Sequence, residues 1–172
     1  MKQNYTSAAT SINRNRLPAV YGKIDLSQSA CVLDYGCGRY TDHIRAAMPD
    51  GVRYLPYDPY NQPADVNRDS VSTLDRAMRD GRPVAVVCSN VLNVIDGDPE
   101  VRDILRNIAT VIRSDRRNRA YITVYEGDRS GNGRPTGPDQ YQRNERLRDY
   151  LRFIPDGIRA TIRQNVIILE KM

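Results

Sequence analysis

The 172-residue sequence has no tryptophan, one phenylalanine, one histidine and three cysteines. Each scarcity removes a class of chemistry. Cys31, Cys37 and Cys88 are odd in number and show no C-x-x-C spacing, which excludes a disulfide framework. With His43 as the single histidine they leave no zinc-ligand pattern. One histidine also leaves little room for a Ser-His or Cys-His catalytic pair, and His43 reads as a helix-surface or cap residue. No apolar run approaches the roughly 18–20 residues that span a bilayer. The first 18 residues lack the apolar segment of a signal peptide. The expectation is a cytoplasmic protein without a membrane partner or a bound metal.

Lysine is scarce too, and this shapes the charge. The 26 basic residues comprise 23 arginines and 3 lysines, against 21 acids, for a net charge of +5. Residues 1–100 hold 11 basic and 12 acidic side chains, whereas residues 101–172 hold 15 and 9. The excess belongs to the second half, so it is no general nucleic-acid signal. Hydrophobic residues at 40% and charged residues at 27% are ordinary for a folded chain. The length suits one domain, residues 19–172, preceded by a polar arm, residues 1–18.

Along the chain, short apolar runs alternate with helical periodicity. Cys31-Val32-Leu33-Asp34-Tyr35 is a buried strand stopped by Gly36-Cys37-Gly38. A helix carrying Ile44, Ala47 and Met48 follows, then a strand over 52–57. Asp69 or Ser70 is expected to cap a helix with Val71, Leu74 and Met78 on one face. Residues 84–88, apolar at consecutive positions, read as a central strand. Asp98-Pro99-Glu100 opens a helix with Val101, Ile104, Leu105, Ile108 and Ile112 at helical spacing. A strand over 120–126, a Gly- and Pro-rich loop over 127–138, a polar helix over 139–151 and two strands near 157–163 and 165–170 complete the chain. The fold class is therefore α/β: a doubly wound, mostly parallel, Rossmann-like sheet with a C-terminal antiparallel hairpin. Between Asp58 and Val84 there is a helix but no convincing strand, so the third strand is missing or vestigial.

The strongest chemical signal is Asp34-Tyr35-Gly36-Cys37-Gly38 at the end of the first strand. Glycines at a strand-to-helix turn let the backbone approach a ligand. Asp58 follows at the tip of the next strand, at the spacing where a carboxylate receives the ribose hydroxyls of an adenosine. Thr41 stands where a dinucleotide fingerprint needs its third glycine, which disfavours NAD.

This pattern resembles the class I S-adenosylmethionine-dependent methyltransferases. With Tyr57-Asp58-Pro59-Tyr60 and Asn90-Val91-Leu92-Asn93-Val94-Ile95, it resembles most the methyltransferases found with DNA phosphorothioation systems and in phage genomes. The resemblance covers residues 30–126 and suggests a bacterial or phage source. It implies S-adenosylmethionine as cofactor, with Asp34, Tyr35, Gly36 and Gly38 at its methionine portion. Asp58 and Pro59 would sit at the ribose, and Ser89 and Asn90 beside them. The family's carboxylate for the adenine amino group is unplaced, with Asp65 and Asp69 as weak candidates. Ser89-Asn90-Val91-Leu92 replaces the Asp/Asn-Pro-Pro-Tyr of amino-methylating nucleic-acid enzymes, which puts base N-methylation in doubt.

Candidate catalytic groups lie at the strand tips: Asn90 as a positioning residue and Glu126 as the one base available. Arg129 and Arg134 emerge on that edge, with Arg143, Arg146 and Arg148 following. They suit an anionic acceptor, nucleic acid or small metabolite. The run from Arg113 to Arg119 is expected on the opposite edge. The N-terminal arm could close over the cofactor as a lid. A chain that binds S-adenosylmethionine as a sensor or recruitment module, without methyl transfer, is the alternative.

Overall fold

Five consecutive side chains from Val84 to Cys88 are each no more than 1% exposed, as a strand covered on both faces requires. This strand, β3 (Val84–Ser89), lies near the middle of a six-stranded sheet. A computed structural model describes residues 16–137 and 140–172. The expected N-terminal arm lies outside them except for residues 16–18, and so does its role as a lid.

The other strands are β1 (Cys31–Tyr35), β2 (Arg53–Tyr57), β4 (Arg119–Thr123), β7 (Ile158–Arg163) and β8 (Val166–Lys171), in the order β2-β1-β3-β4-β8-β7. The pairs β1/β2, β1/β3 and β3/β4 are parallel, and β8 pairs antiparallel with both β4 and β7. The last strand is thus inserted between β4 and β7. A two-residue loop joins β7 to β8, with Gln164 and Asn165 at φ 51° and 60°. Such left-handed pairs match the twist of a tight hairpin. The sheet is α/β and mostly parallel, Rossmann-like at that coarse level, with the expected C-terminal antiparallel hairpin.

Helices α1 (Asp42–Ala46), α2 (Ala64–Arg79) and α3 (Asp98–Ser114) make the crossovers. In α3, Pro99 sits in the first turn with Asp98 and Glu100, and Arg113 in the last, each suited to its end of the helix dipole. Its inward stripe, with Ile104, Leu105 and Ile108, packs with Leu74 of α2 on Leu33, Leu55, Val86 and Ile122 of the sheet. The opposite face carries Val32, Ala85, Val87 and Val166 and is covered more thinly. Val20 of a 3-10 helix (Ala19–Gly22), Leu26 and Met48 pack there.

Among the described residues no strand separates β2 from β3; α2 alone connects them. β2 is therefore an edge, and Pro56, the fourth of its five residues, has no N–H to offer there. The Pro56 carbonyl accepts a 2.7 Å bond from Ser70 Oγ of α2.

Two sequence expectations need correction. α2 begins at Ala64, not near Asp69, and buries Ser70, Leu74 and Ala77 while Val71 is 40% exposed. Its polar first turn has no apolar periodicity to announce it. In place of a polar helix over 139–151 there is a short hairpin, β5 (Arg134–Gly137) with β6 (Gln140–Gln142), then a 3-10 helix (Leu147–Phe153). Gln142, Arg143 and Asn144 turn inward instead, donating to backbone carbonyls of Tyr125, Ile95 and Asn132. Such side-chain bonds compete with helix formation.

Candidate functional site

The connections leaving β1 and returning past it run to opposite sides, since β2 and β3 flank β1. In open α/β sheets, ligands bind outside the carboxyl ends of the strands at such a switch point. Here that point is the glycine turn after β1. Gly36 and Gly38 take φ 78° and 73°, a region other residues avoid. A Cβ on Gly36 would lie 2.3 Å from Val91 Cγ2, so the loop after β3 closes directly on this turn.

The turn's amides are committed within the protein. Gly36 N (2.7 Å) and Cys37 N (3.3 Å) donate to Tyr57 O. Gly38 N donates to Asp58 Oδ2 at 3.0 Å. Asp58 is a hub, 5% exposed. Its Oδ2 also receives Asn61 Nδ2, and its Oδ1 receives the amides of Tyr60 and Asn61. Asn67 of α2 accepts from Asp58 N and donates to Asp58 O.

Asp34 points to the thinner face and is buried. Burial raises its carboxyl to about 6, opposed by a 2.7 Å bond from the Tyr54 hydroxyl and reinforced by the negative charge of Asp58. The Tyr21 hydroxyl lies beside it without a well-formed hydrogen bond. Burial, first, and the charges of Asp34 and Asp58 push the Cys37 thiol far up, so it is no thiolate nucleophile.

Among the described residues, two cavities open at these tips. A small one, about 50 Å³, is lined by Tyr35, Gly36, Asp58, Pro59, Asn61 and Asn90. Asn61 Oδ1 is buried without a partner. Because Asn61 Nδ2 faces the Asp58 carboxylate, the amide orientation is set and the orphan atom is an acceptor. A larger cleft, about 570 Å³, opens at the tips of β3 and β4, lined by Ser89, Asn90, Thr123, Tyr125, Glu126 and Arg129 among others. Asn90 borders both. It takes φ 57° at the end of β3, with its N–H bonded to Thr123 O at 2.9 Å.

The remaining expected site residues are held as follows. Thr123 Oγ1 and Ser89 Oγ are bonded to each other at 3.0 Å. Glu126 accepts the Leu147 amide at 2.8 Å and pairs with Arg129 at 2.6 Å, which engages both its oxygens. Arg134 faces Asp128 at 3.9 Å. Arg143 is no surface arginine: its side chain is 6% exposed and bonds Ile95 O, Asp96 O, Asp98 and Glu145. Asp65 is exposed in the first turn of α2, and Asp69 pairs with Arg53 at the start of β2, away from the tips. Arg117, bonded to Gly81 O before β3, places the 113–119 run on the edge opposite the cavities.

Asn61, Asn67, Val91 and Asn165 were not singled out from the sequence. Asn61 and Asn67 follow Asp58 closely, and the Asx-rich stretch after an acid was the available signal. Val91 and Asn165 reach the site by tertiary packing, with no local mark. Among the described residues no group of three or more His, Cys, Asp or Glu could hold a metal, and no helix is long and apolar enough to cross a membrane. No protein-family model matches the sequence, and no curated protein matches it.

Proposed function

We propose that the chain binds S-adenosylmethionine at the tips of β1, β2 and β3 and transfers its methyl group to an acceptor in the adjoining cleft. The observation that carries this is the joining of the glycine turn to Asp58 at the β1/β3 switch point, through Gly38 N.

The donor set suits the cofactor. Asp58 and the orphan Asn61 Oδ1 place a carboxylate and a free acceptor side by side, matched to a ribose diol. Asp34, buried with no cation among its partners in the described residues, suits the ammonium of the methionine portion. The small cavity admits a hydroxyl-bearing edge and not a whole nucleoside, so Val91 and the 41% exposed Tyr60 must yield on binding. Asp58 in turn exchanges some of its internal donors for the diol.

When bound, the sulfonium supplies an electrophilic methyl group. What the chain contributes is alignment, which does most of the work of an in-line displacement. Asn90, bordering both cavities, is the residue placed to orient an acceptor. Glu126 takes a proton only by releasing Arg129 or the Leu147 amide. Arg129 and Arg134 hold an anionic acceptor only by exchanging Glu126 and Asp128 for it.

Calorimetry with S-adenosylmethionine, its demethylated product and NAD tests the cofactor. The first two are expected to bind and NAD is not, with Asp58→Ala weakening binding at least about tenfold, as lost charge-assisted hydrogen bonds would. Absence of S-adenosylmethionine binding overturns the proposal. The engagement of both Glu126 oxygens favours a second reading, a binding module without transfer. Tritiated-methyl transfer into nucleic acid, protein and metabolite pools separates the two.

A further inference from the structure

The cleft at the tips of β3 and β4 has a wall chemistry that the methyltransferase proposal does not use. Tyr125 is 64% exposed, the largest exposure of any aromatic among the exposed hydrophobic side chains. Yet its backbone is clamped. Gln142 Nε2 donates to Tyr125 O at 2.8 Å, Asn93 Oδ1 accepts from Tyr125 N at 3.4 Å, and Asn93 Nδ2 donates to Gln142 Oε1 at 3.2 Å. Asn93 and Gln142 are both buried. A ring left in water on so fixed a stem offers a contact face at small entropic cost.

Two further residues of the cleft, Asn90 and Asn165, have left-handed backbones and exposed side-chain amides that make no hydrogen bond among the described residues. The tight β7–β8 loop accounts for the Asn165 backbone, and its exposed amide is left to solvent or a ligand at the border of this cleft. Each amide carries two donors and an acceptor, so together they match an edge that carries both. Charge narrows the ligand further. Arg129 is paired with Glu126 and Arg134 with Asp128, which leaves Lys23 as the cation of the cleft with no carboxylate partner among the described residues. That composition suits an uncharged head group with at most one anionic substituent.

We propose that this cleft binds a planar, uncharged nitrogen heterocycle of the nucleobase type, its face on Tyr125 and its hydrogen-bonding edge toward Asn90 and Asn165. A volume of about 570 Å³ accommodates a ring system with a sugar. A peptide backbone would supply amide edges but not a ring that carries donors and acceptors on the same edge. The inference rests on the methyltransferase proposal only for whose ring it is, the acceptor's or the cofactor's adenine; the ring chemistry is shared.

The test titrates the full chain with adenosine and cytidine, with and without saturating S-adenosylhomocysteine, and with inorganic phosphate as control. Tyr125→Ala, Tyr125→Phe and Asn165→Ala accompany the native chain. Stacking on an aromatic side chain changes affinity by roughly tenfold or more per base. Tyr125→Ala is expected to weaken nucleoside binding about that much, Tyr125→Phe to preserve it, and phosphate not to compete. Nucleoside binding that persists beside S-adenosylhomocysteine assigns the ring to the acceptor. If only S-adenosylhomocysteine binding responds to Tyr125→Ala, the ring is the cofactor's. If no nucleoside or S-adenosylhomocysteine affinity responds to Tyr125→Ala, the inference is overturned. Tyr125-dependent nucleoside binding without any S-adenosylmethionine binding defeats the methyltransferase proposal and leaves this one standing. Circular dichroism of each variant checks that a lost affinity is not a lost fold.

Discussion

The two ends of the switch point are built on opposite principles. At the tips of β1 and β2 nearly every polar group is satisfied from within. The glycine turn gives its amides to Tyr57 and Asp58, Asp58 gathers four donors, and Val91 fills the space beside Gly36. At the tips of β3 and β4 the backbone is fixed but the side chains are left open: Asn90, Asn165 and Tyr125 face a cleft of about 570 Å³. The first end holds its geometry ready and must surrender internal bonds to admit a ligand. The second has hydrogen-bonding capacity and aromatic surface still unused. Preorganisation and vacancy are divided between neighbouring strand tips, with Asn90 on the border.

This contrast can be broken by substitution, and the largest effect is expected at Arg143. It fastens the loop after β3 through Ile95 O, Asp96 O and Asp98. Arg143→Met removes the buried cation and its bonds to Ile95 O, Asp96 O and Asp98, while Glu145 keeps Arg152, and should cost about 3 kcal/mol in urea unfolding. A loss under about 1 kcal/mol would show that the loop does not depend on it.

Next is the pH dependence of Asp34. Its folded carboxyl is raised to about 6, from the ordinary 3.8 of a solvated aspartate, so the folded state holds the proton more tightly than the unfolded state. Stability should therefore fall as pH rises from about 4 to about 6, by roughly 3 kcal/mol, and level off above. Asp34→Asn should flatten that segment of the curve; a segment that survives the substitution belongs to another group.

Gly36→Ala should cost about 2 kcal/mol, from the left-handed backbone and the clash with Val91. The double variant with Val91→Ala should recover the steric share and leave the backbone share, measured as a double-mutant cycle. The smallest effects are expected at the open end. Tyr125→Ala should alter stability by no more than about 0.5 kcal/mol, since its side chain is 64% exposed, and Asn165→Ala by about 1 kcal/mol, the share of its left-handed backbone. Losses above about 1.5 kcal/mol there would erase the contrast.

The sheet was legible wherever apolar runs were continuous. The stretches around Val32, Val86 and Ile167 read as strands because burial leaves no polar alternation to confuse, and the stripe from Val101 to Ile112 read as a helix for its period. The segment from Arg134 to Phe153 was not legible. Its order depends on Gln142, Arg143 and Asn144 finding carbonyls on distant loops, which no local periodicity encodes. The site divides the same way. Asp34, Gly36, Gly38 and Asp58 stand at strand ends that the sequence marks. Asn165 reaches the cleft beside Tyr125 only through the order of the strands. Arg143 misled because an arginine in a basic stretch looks solvated, while its partners lie 45 to 48 residues earlier.

Pro56 has a consequence for growth. Because Tyr57 O turns toward the glycine turn after β1, the neighbouring Pro56 carbonyl turns outward, where Ser70 takes it, and proline has no amide to present beside it. Among the described residues no strand extends the sheet on this side, and the docking line is interrupted at the fourth of the five residues of β2. β7, on the far side, carries no such interruption. Any lengthening of the sheet, by a second copy or by aggregation, is therefore directional, and a Pro56→Val chain would offer fibrillar addition a second front.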